Sequence, residues 1–517
     1  MTRDPVSRST NDPFGGESTD PVKSGRAVSI DQAARIEVVL RLIEQHPRRV
    51  LEWPEGEAAR PVLDGIDLSG PSIESHRHAA PEASCWWDEE RRGLTLGGAD
   101  LRGVSFRGAI LRGVNLAEAD LRDANLEQAD LRGACLRNAR LQGCCLKKAD
   151  LEGAELGGCD FDGALLEQAN LQKTDMAGIN FSRAKLGEAD LRGAMLEEAN
   201  LRGASLRFAW LQQAVLEGAD LREADLWGAN LEGANLEKAD LRNCRLEEAV
   251  IRRANLARAD LRDAILRKVD AQDADLRGVD LCGAILSGAN FRDAVMRKVR
   301  LREVDLTECD VTHVHLSGAK LDNTLILLSQ LGGAIGEELA HDYELAAQGY
   351  QALERNFSDM GDHIAASWAY RRRRRMQKRD TLEKAREAWS KGQWGGATIR
   401  FARFAGDQCA EWVCDYGESV PRVLAAIFVL YLTFTLVYGL TGSVVRETQG
   451  PSGAGHAVTR DPVDLAIFSL LAMTTGTVGV ELLPRDRLAL TLIGVHVFLG
   501  IAMTGLLGFV LGNRIRR

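Results

Sequence analysis

The residues best suited to chemistry lie near the carboxyl end, in the run Thr474, Thr475, Gly476, Thr477, Val478, Gly479, Val480, Glu481. Glycine is interleaved there with threonine and valine, and a carboxylate closes the run. Glycine admits backbone conformations closed to other residues, so such a run can turn carbonyl oxygens toward one axis. Rings of carbonyls replace the water shell of a cation, and Glu481 beside them would raise the local cation concentration. The expected passenger is a cation; no cofactor and no resident metal are expected. One chain supplies one such run, so a closed path needs several copies.

Other reactive side chains are scattered. His496 lies inside an apolar stretch, either as a functional ionisable group or as a hydrogen-bonded packing residue between helices. The basic run Arg371, Arg372, Arg373, Arg374, Arg375 reads either as a solvated helix face or as a contact for anionic lipid headgroups. Cys144, Cys159, Cys244 and Cys309 recur at a small-residue position of a repeat, which packing explains, while Cys135 and Cys145 fall at its polar position. Cys409 with Cys414, and His76 with His78 and Cys85, are thin ligand sets for a metal. No nucleophile–base constellation, phosphate loop or metal cluster emerges, so no enzyme is expected.

The elements that must position the glycine-rich run are apolar. Val420 to Leu440 and Leu488 to Leu511 are each long enough to cross a bilayer. Between them Leu465 to Met473 is apolar but about half that length, which points to a re-entrant helix feeding the run. Gly508 and Gly512 form a small-xxx-small pair suited to helix contact. Upstream, about residues 328–415 read as helices: Tyr350, Leu353 and Phe357 share a face, Asp359 to Asp362 interrupts, and a second helix runs into the arginines.

Most of the chain obeys another rule. From Leu96 to Leu321 a large apolar residue recurs at every fifth position, at roughly 46 sites of which about 37 are Leu, with Phe106, Phe161, Met176, Phe181, Ile251, Phe291, Met296 and Val311 among the rest. Two residues earlier sits a small residue, as at Ala119, Ala124, Ala129 and Ala134, and between them often Asp or Asn, as at Asp120, Asn125 and Asp130. A period of five fits neither a helix nor a strand. It requires a backbone that regains its orientation every five residues, which a stacked square coil does.

These A(D/N)LxG/A units resemble the pentapeptide-repeat proteins, which implies a right-handed quadrilateral β-helix over 94–327, of about 11 coils and roughly 50 Å in length. The spanning segment, half-helix, Gly/Thr loop and second span resemble the two-helix pore-loop domain of potassium-channel-like proteins. WVCDYGESVPRVL, with Tyr350, Leu353, Phe357, Gly361 and Ala366, is similar to bacterial proteins that join the two. That likeness implies a multidomain chain: a disordered tail 1–28, a helix and capping region 29–93 (with a short amphipathic helix from Ile30 to Val50), the β-helix, a helical connector 328–415, and a two-span pore domain 416–517. The last divides into spans 420–440 and 488–511 around a pore helix and filter-like loop 462–484. It also implies a homotetramer with Gly500 and Gly505 as pore-lining hinges. The filter departs from the potassium signature T-V-G-Y/F-G-D: Thr477, Val478 and Gly479 fit, but Val480 and Glu481 follow and the second glycine is missing. Aligning Thr474, Thr475 and Gly476 instead requires an insertion.

Composition limits the remaining classes. The 517 residues carry a net charge of −9 and 27% charged residues, which argues against a generic nucleic-acid binder. The repeats hold about 32 basic and 38 acidic residues, too balanced for an anionic DNA mimic. The amino end has no apolar signal segment. Arg371 to Arg375, Lys378 and Arg379 before the first span and Arg514, Arg516 and Arg517 after the second place both termini in the cytoplasm of a bacterial inner-membrane protein. A membrane-anchored repeat scaffold whose pore loop does not conduct is the alternative. The rod would serve gating or a cytosolic protein partner.

Overall fold

The period of five closes into a square coil in the computed structural model, which describes residues 66–68, 87–88, 93–450, 453–475 and 482–516. Expectations on the tail, on the helix from Ile30 to Val50, on His76, His78 and Cys85, and on Gly476 to Glu481 lie outside the described residues.

Parallel bridges join one residue of each repeat to the residue twenty further on, from Thr95 with Asn115 to Asp305 with Leu325, so four repeats make a coil. Each corner is one tight turn. The Ala124 amide donates to the Leu121 carbonyl at 3.1 Å, and Asp123 between them has φ 58°. The same left-handed residue recurs every fifth position from Gly98 to Asn323, with Glu308 the exception. A side chain in that conformation costs roughly 1–2 kcal/mol, which glycine avoids. The Asp or Asn of each repeat offsets part of it: Asn125 Oδ1 accepts the Glu127 amide at 3.0 Å, closing an Asx turn over the corner.

The repeated large residues and their small partners are fully buried and form one continuous core. Phe161 stacks on Phe181 with centroids 4.9 Å apart. Ala271 stands in a large-residue slot, one coil from Ile251 on one side and from Phe291 on the other, and all three are buried. Main-chain bonds run between coils in both directions, as Leu121 N–H to Arg140 O at 2.8 Å and Asp120 N–H to Ala99 O at 2.9 Å. At the head of the rod Ile66 and Leu68 bond to Ile110, and β1 (Trp87–Asp88) pairs antiparallel with β2 (Gly93–Leu94).

Outside the coil the charges neutralise one another. Arg122 grips Asp120 at 2.8 and 2.5 Å, and Arg222 grips Asp220 while lying 3.6 Å from Asp240 of the next coil.

Beyond the rod come α1 (Gly336–Leu339), α2 (Tyr343–Asp359), α3 (His363–Ser390) and α4 (Trp394–Cys414). The interruption expected at Asp359 to Asp362 is the turn between α2 and α3, where Asp362 caps α3 by accepting the Ala365 amide at 3.0 Å. The chain continues with α5 (Val420–Thr441), β3 (Val444–Gly450), β4 (Gly453–Val458), α6 (Pro462–Thr475), β5 (Leu482–Pro484) and α7 (Arg487–Arg516). Helices α5 and α7 are long and apolar enough to cross a membrane. The three-stranded antiparallel sheet, in the order β4-β3-β5, is an element the sequence reading did not anticipate.

The arginine bonds hold the Asp100, Asp120 and Asp220 carboxyls below the usual carboxylate range. A depressed folded value contributes stability above the unfolded carboxylate pKa of about 3.9, and that stability fades as pH falls through the lower folded value. The thermal midpoint of the full chain, followed by circular dichroism, should be flat between about pH 5 and 8 and should fall below about pH 4.

Candidate ion-pathway hairpin and its coupling to the rod

The last coil of the rod would leave unpaired main-chain groups, which three side chains satisfy, Gln330 half-buried and Asn356 and Glu337 buried. Gln330 donates to the carbonyls of Leu306, Thr307 and Cys309 at 2.8, 2.9 and 2.7 Å. Asn356 of α2 accepts the Thr324 amide at 3.1 Å and donates to its carbonyl at 2.8 Å. Glu337 of α1, wholly buried, accepts the Ser317 amide at 2.7 Å. These residues imitate the next coil and close the edge.

The neighbouring Glu338 faces the connector instead. It accepts from the Tyr350 hydroxyl at 2.5 Å and from Arg372 at 2.9 Å. Here the reading of the basic run is corrected, because every arginine in it is half-buried and meets a carboxylate of the same chain. Arg373 pairs with Glu354 at 2.7 Å. Arg374 pairs with Asp407 at 2.7 Å and Arg375 with Glu411 at 2.8 Å. Arg371 and Arg375 lie 3.6 and 3.4 Å from Asp415. The partners sit between 19 and 44 residues away in sequence, on α1, α2, α4 and the turn before α5, so the run is a clasp rather than a lipid-facing or solvated face.

Asp415 is the node of that clasp. It is buried, and Arg422 of α5 reaches it at 3.6 Å in addition to the two arginines of α3. Its φ is 49°, that of Tyr416 is 59° and that of Gly417 is 90°. Three successive left-handed residues, two of them with side chains, form a strained corner just ahead of the first apolar helix. Ser367 of α3 holds the far side of the corner through Glu418 at 2.8 Å.

Past the corner, α5 and α7 run antiparallel: Val423 packs near Val510 at one end, and Phe434 and Tyr438 meet His496 nearer the other. Helix α6 wedges between them at the end that carries the sheet. Its Ser469 hydroxyl donates to the Tyr431 carbonyl, midway along α5, at 3.2 Å. Met473 lies against Gly500, midway along α7, so closely that a Cβ there would stand 2.6 Å from the Met473 carbonyl oxygen. At the opposite end of α6, Asp464 pairs with Arg446 of β3 at 3.2 Å, and the same Arg446 is laddered to Leu482 of β5.

Of the expected filter residues, Thr474 is exposed in the last turn of α6 and Thr475 ends that helix. Gly500 is a contact glycine, whereas Gly505, Gly508 and Gly512 have nothing within 4 Å of a built Cβ. The His496 imidazole is buried, stacks on Phe434 at 4.0 Å and has Nδ1 3.2 Å from the Tyr438 hydroxyl, which is the packing role. Cys409 is exposed while Cys414 is buried with its thiol on the Ala410 carbonyl at 3.2 Å.

A family model described as pentapeptide repeats matches in overlapping copies from 99–138 through 284–323. The solved structure of HetL, a pentapeptide repeat protein involved in heterocyst differentiation regulation in the cyanobacterium Nostoc, is 32% identical; the match covers 44% of this chain and 94% of HetL, with a TM-score of 0.32. The chain belongs to the pentapeptide-repeat family. QnrB1, a plasmid-mediated fluoroquinolone resistance protein, is 24% identical over 38% of this chain and 90% of its own, with a TM-score of 0.23. A pentapeptide repeat protein from the thylakoid lumen of Arabidopsis thaliana is 28% identical over 24% of this chain and 68% of its own, with a TM-score of 0.11. No curated protein sequence matches the chain.

Within the pentapeptide-repeat rod the cysteines at the small position are buried like the alanines they replace. Burial pushes the Cys159 thiol up to about 12 and the Cys309 thiol up to about 11, so neither is poised as a nucleophile.

Replacing Asp415 by Ala removes the buried carboxylate shared by Arg371, Arg375 and Arg422, and leaves Arg375 with Glu411 alone. The detergent-solubilised variant should lose roughly 3 kcal/mol in the cooperative unit that holds the connector. Arg379→Gln on the exposed side of α3 should stay within about 0.5 kcal/mol. Thermal melts and limited proteolysis at the α4–α5 junction read both.

Proposed function

We propose that the chain is one subunit of a tetrameric cation channel in which four re-entrant hairpins share a central path.

 The observation behind this reading is the course of α6. It starts beside the sheet, stops level with the midpoints of α5 and α7, and the chain is back in the sheet at Leu482, with Arg446 touching both its departure and its return. A helix that stops halfway leaves bare carbonyls at its carboxyl-terminal tip. Within a bilayer such a tip is tolerated only where it is buried in protein or lines a water-filled path. The six residues that fill the interval, Gly476 to Glu481, are the ones whose composition suits carbonyl coordination.

In this reading the passenger is a monovalent cation, with K+ the candidate. Glu481 concentrates cations at the outer mouth, Gly500 seats the pore helix and Gly505 lies on the inner pore wall. The rod lies in the cytoplasm of a bacterial inner-membrane protein. Arg400, Arg403 and Arg422 before or within the first turn of α5, with Arg514, Arg516 and Arg517 at the end of the chain's last helix and beyond it, outnumber Arg446, Arg460, Arg485 and Arg487 on the opposite side. Motion of the rod reaches the pore through Glu338, the arginine clasp and Asp415.

A membrane-anchored interaction scaffold is the second reading. It draws on the exposed aromatic cluster of the pentapeptide-repeat rod, where Phe208 packs on Trp227 at 4.7 Å and Trp210 stands half open beside Arg192.

Purified protein in K+-loaded liposomes should pass K+ down its gradient. Gly479→Asp should abolish the flux, and Glu481→Gln should lower it severalfold at low ionic strength, where charges are least screened. A wild-type protein that is folded, inserted and silent in this assay supports the scaffold and sinks the channel.

A further inference from the structure

The repeats hold seven aromatic residues. Phe106, Phe161, Phe181 and Phe291 fill the core. The other three, Phe208, Trp210 and Trp227, lie on the outside and fall in two adjacent coils. Their positions work against the local rule of the fold. Phe208 takes a left-handed corner with φ 57°, a slot held elsewhere in the rod by glycine or a polar residue. Trp210 stands in a ladder whose neighbours Asp190 and Asn230 accept the Arg192 and Glu232 amides at 3.2 and 3.0 Å, a turn that an indole cannot close. The next coil makes room for the Phe208 ring, because at Gly228 a Cβ would stand 2.6 Å from it. Phe208 packs on Trp227 at 4.7 Å, Arg207 lies over Trp227 at 4.5 Å and Arg192 over Trp210 at 5.2 Å, so the rings are held in place. Phe208 is nonetheless 43% exposed and Trp210 50% exposed.

We propose that this aromatic patch is the seat of the chain's own amphipathic segment 30–50, docked by its aliphatic side. The sequence predicts a helix there, with Ile36, Val39, Leu40 and Ile43 at i, i+3, i+4 and i+7. A helix of this length gains its stability from an apolar partner. Half-open Trp and Phe rings, pre-set by their neighbours, are the side chains that dominate such contacts. The course of the chain selects this occupant. Asp67 bridges Ile110 in parallel, and the same ladder runs on through Asp130, Asp150, Asn170 and Asp190 to Trp210. Ile66 to Leu68 therefore lie on the face that carries Trp210. Parallel pairing turns the amino side of Ile66 toward the corner ahead of Ile110, and that edge of the rod is the one on which Phe208 stands. Six steps of about 4.8 Å put Trp210 about 29 Å from Asp67. The fifteen residues 51–65 can span up to about 50 Å, so the segment reaches the patch by lying back along that edge. The inference goes beyond both readings of function, and a protein partner for the same patch would have to displace the segment first.

The detergent-solubilised full chain carrying the photoreactive replacement Phe208→p-benzoylphenylalanine tests this. Illumination should cross-link that ring to residues between 30 and 50 of the same chain, as mapped by mass spectrometry. Ile36→Asp with Leu40→Asp should abolish those cross-links while circular dichroism stays unchanged. In hydrogen exchange the amides of 36–43 should be protected, and Phe208→Gly with Trp210→Asn should speed their exchange by about tenfold or more. Those two replacements are residue types that suit the corner and the ladder, so the thermal midpoint of the rod should not fall. Mixing isotope-labelled with unlabelled chains separates the occupants: cross-links that join two chains make a second copy the occupant and overturn the proposal. A ring that captures detergent, or any part of the chain outside 30–50, overturns it as well. So does exchange in 36–43 that is fast in the wild type, which leaves the segment unseated, or slow in the double variant, which seats it elsewhere, as on the head of the rod.

Discussion

A square coil has few hydrogen bonds of its own, because most of its amides, as at Asp120, Leu121 and Asp123, donate to the coil above or below. The pentapeptide-repeat rod is therefore stable only as a stack, and both ends are liabilities. The rest of the molecule is arranged around one of those ends. Gln330, Glu337 and Asn356 supply side-chain amides and a carboxylate where a further coil would have supplied its backbone. The core follows the same logic: Leu331, Ile335, Tyr350, Leu353 and Phe357 carry the column of buried leucines on into α1 and α2 without a seam. Rod and connector consequently form one packed body, and the connector is as much a cap as a linker.

Adjacent glutamates then divide the labour. Glu337 belongs to the rod and Glu338 to the clasp, so α1, only four residues long, is gripped from both sides. Arg372, Arg373, Arg374 and Arg375 occupy successive positions of a helix and so radiate around it by about 100° per residue. That geometry lets one short run bind α1, α2 and α4 together. Buried ion pairs of this kind add little net stability compared with apolar packing, but a missing partner is heavily penalised, so they fix which arrangement is adopted.

The repeats are legible because their rule is local. A leucine, an alanine two residues before it and an aspartate or asparagine between are all within one corner, and the period alone selects the coil. The apolar helices and the half-length α6 are legible for a similar reason, since bilayer thickness turns length into meaning. The cap and the clasp are not local. Asn356 meets Thr324 across 32 residues and Arg375 meets Asp415 across 40, and a basic run looks the same in sequence whether it faces water, lipid or carboxylates. A signal was present for the sheet: Gly450, Pro451, Ser452 and Gly453 are a turn cluster between segments that can pair as strands. The left-handed corner at Asp415 and Tyr416 had no such signal, because neither residue type announces it.

The distribution of stiffness follows from these contacts. Coils locked at twenty-residue intervals cannot bend individually, the rod's core runs unbroken into α2 and α3, and the arginines tie α3 to α4. The first place where strained backbone meets few apolar contacts is the corner from Asp415 to Gly417. Left-handed conformations at residues with side chains persist only while their surroundings hold them. Here the hold is electrostatic, three guanidiniums on one carboxylate, and one of the three belongs to α5. A displacement of the rod that shifts α3 would change the distances at Asp415, the carboxylate that α3 shares with α5. The corner is therefore the joint between the body of rod and connector and the helices α5 and α7, and what holds it is one buried carboxylate with three guanidiniums.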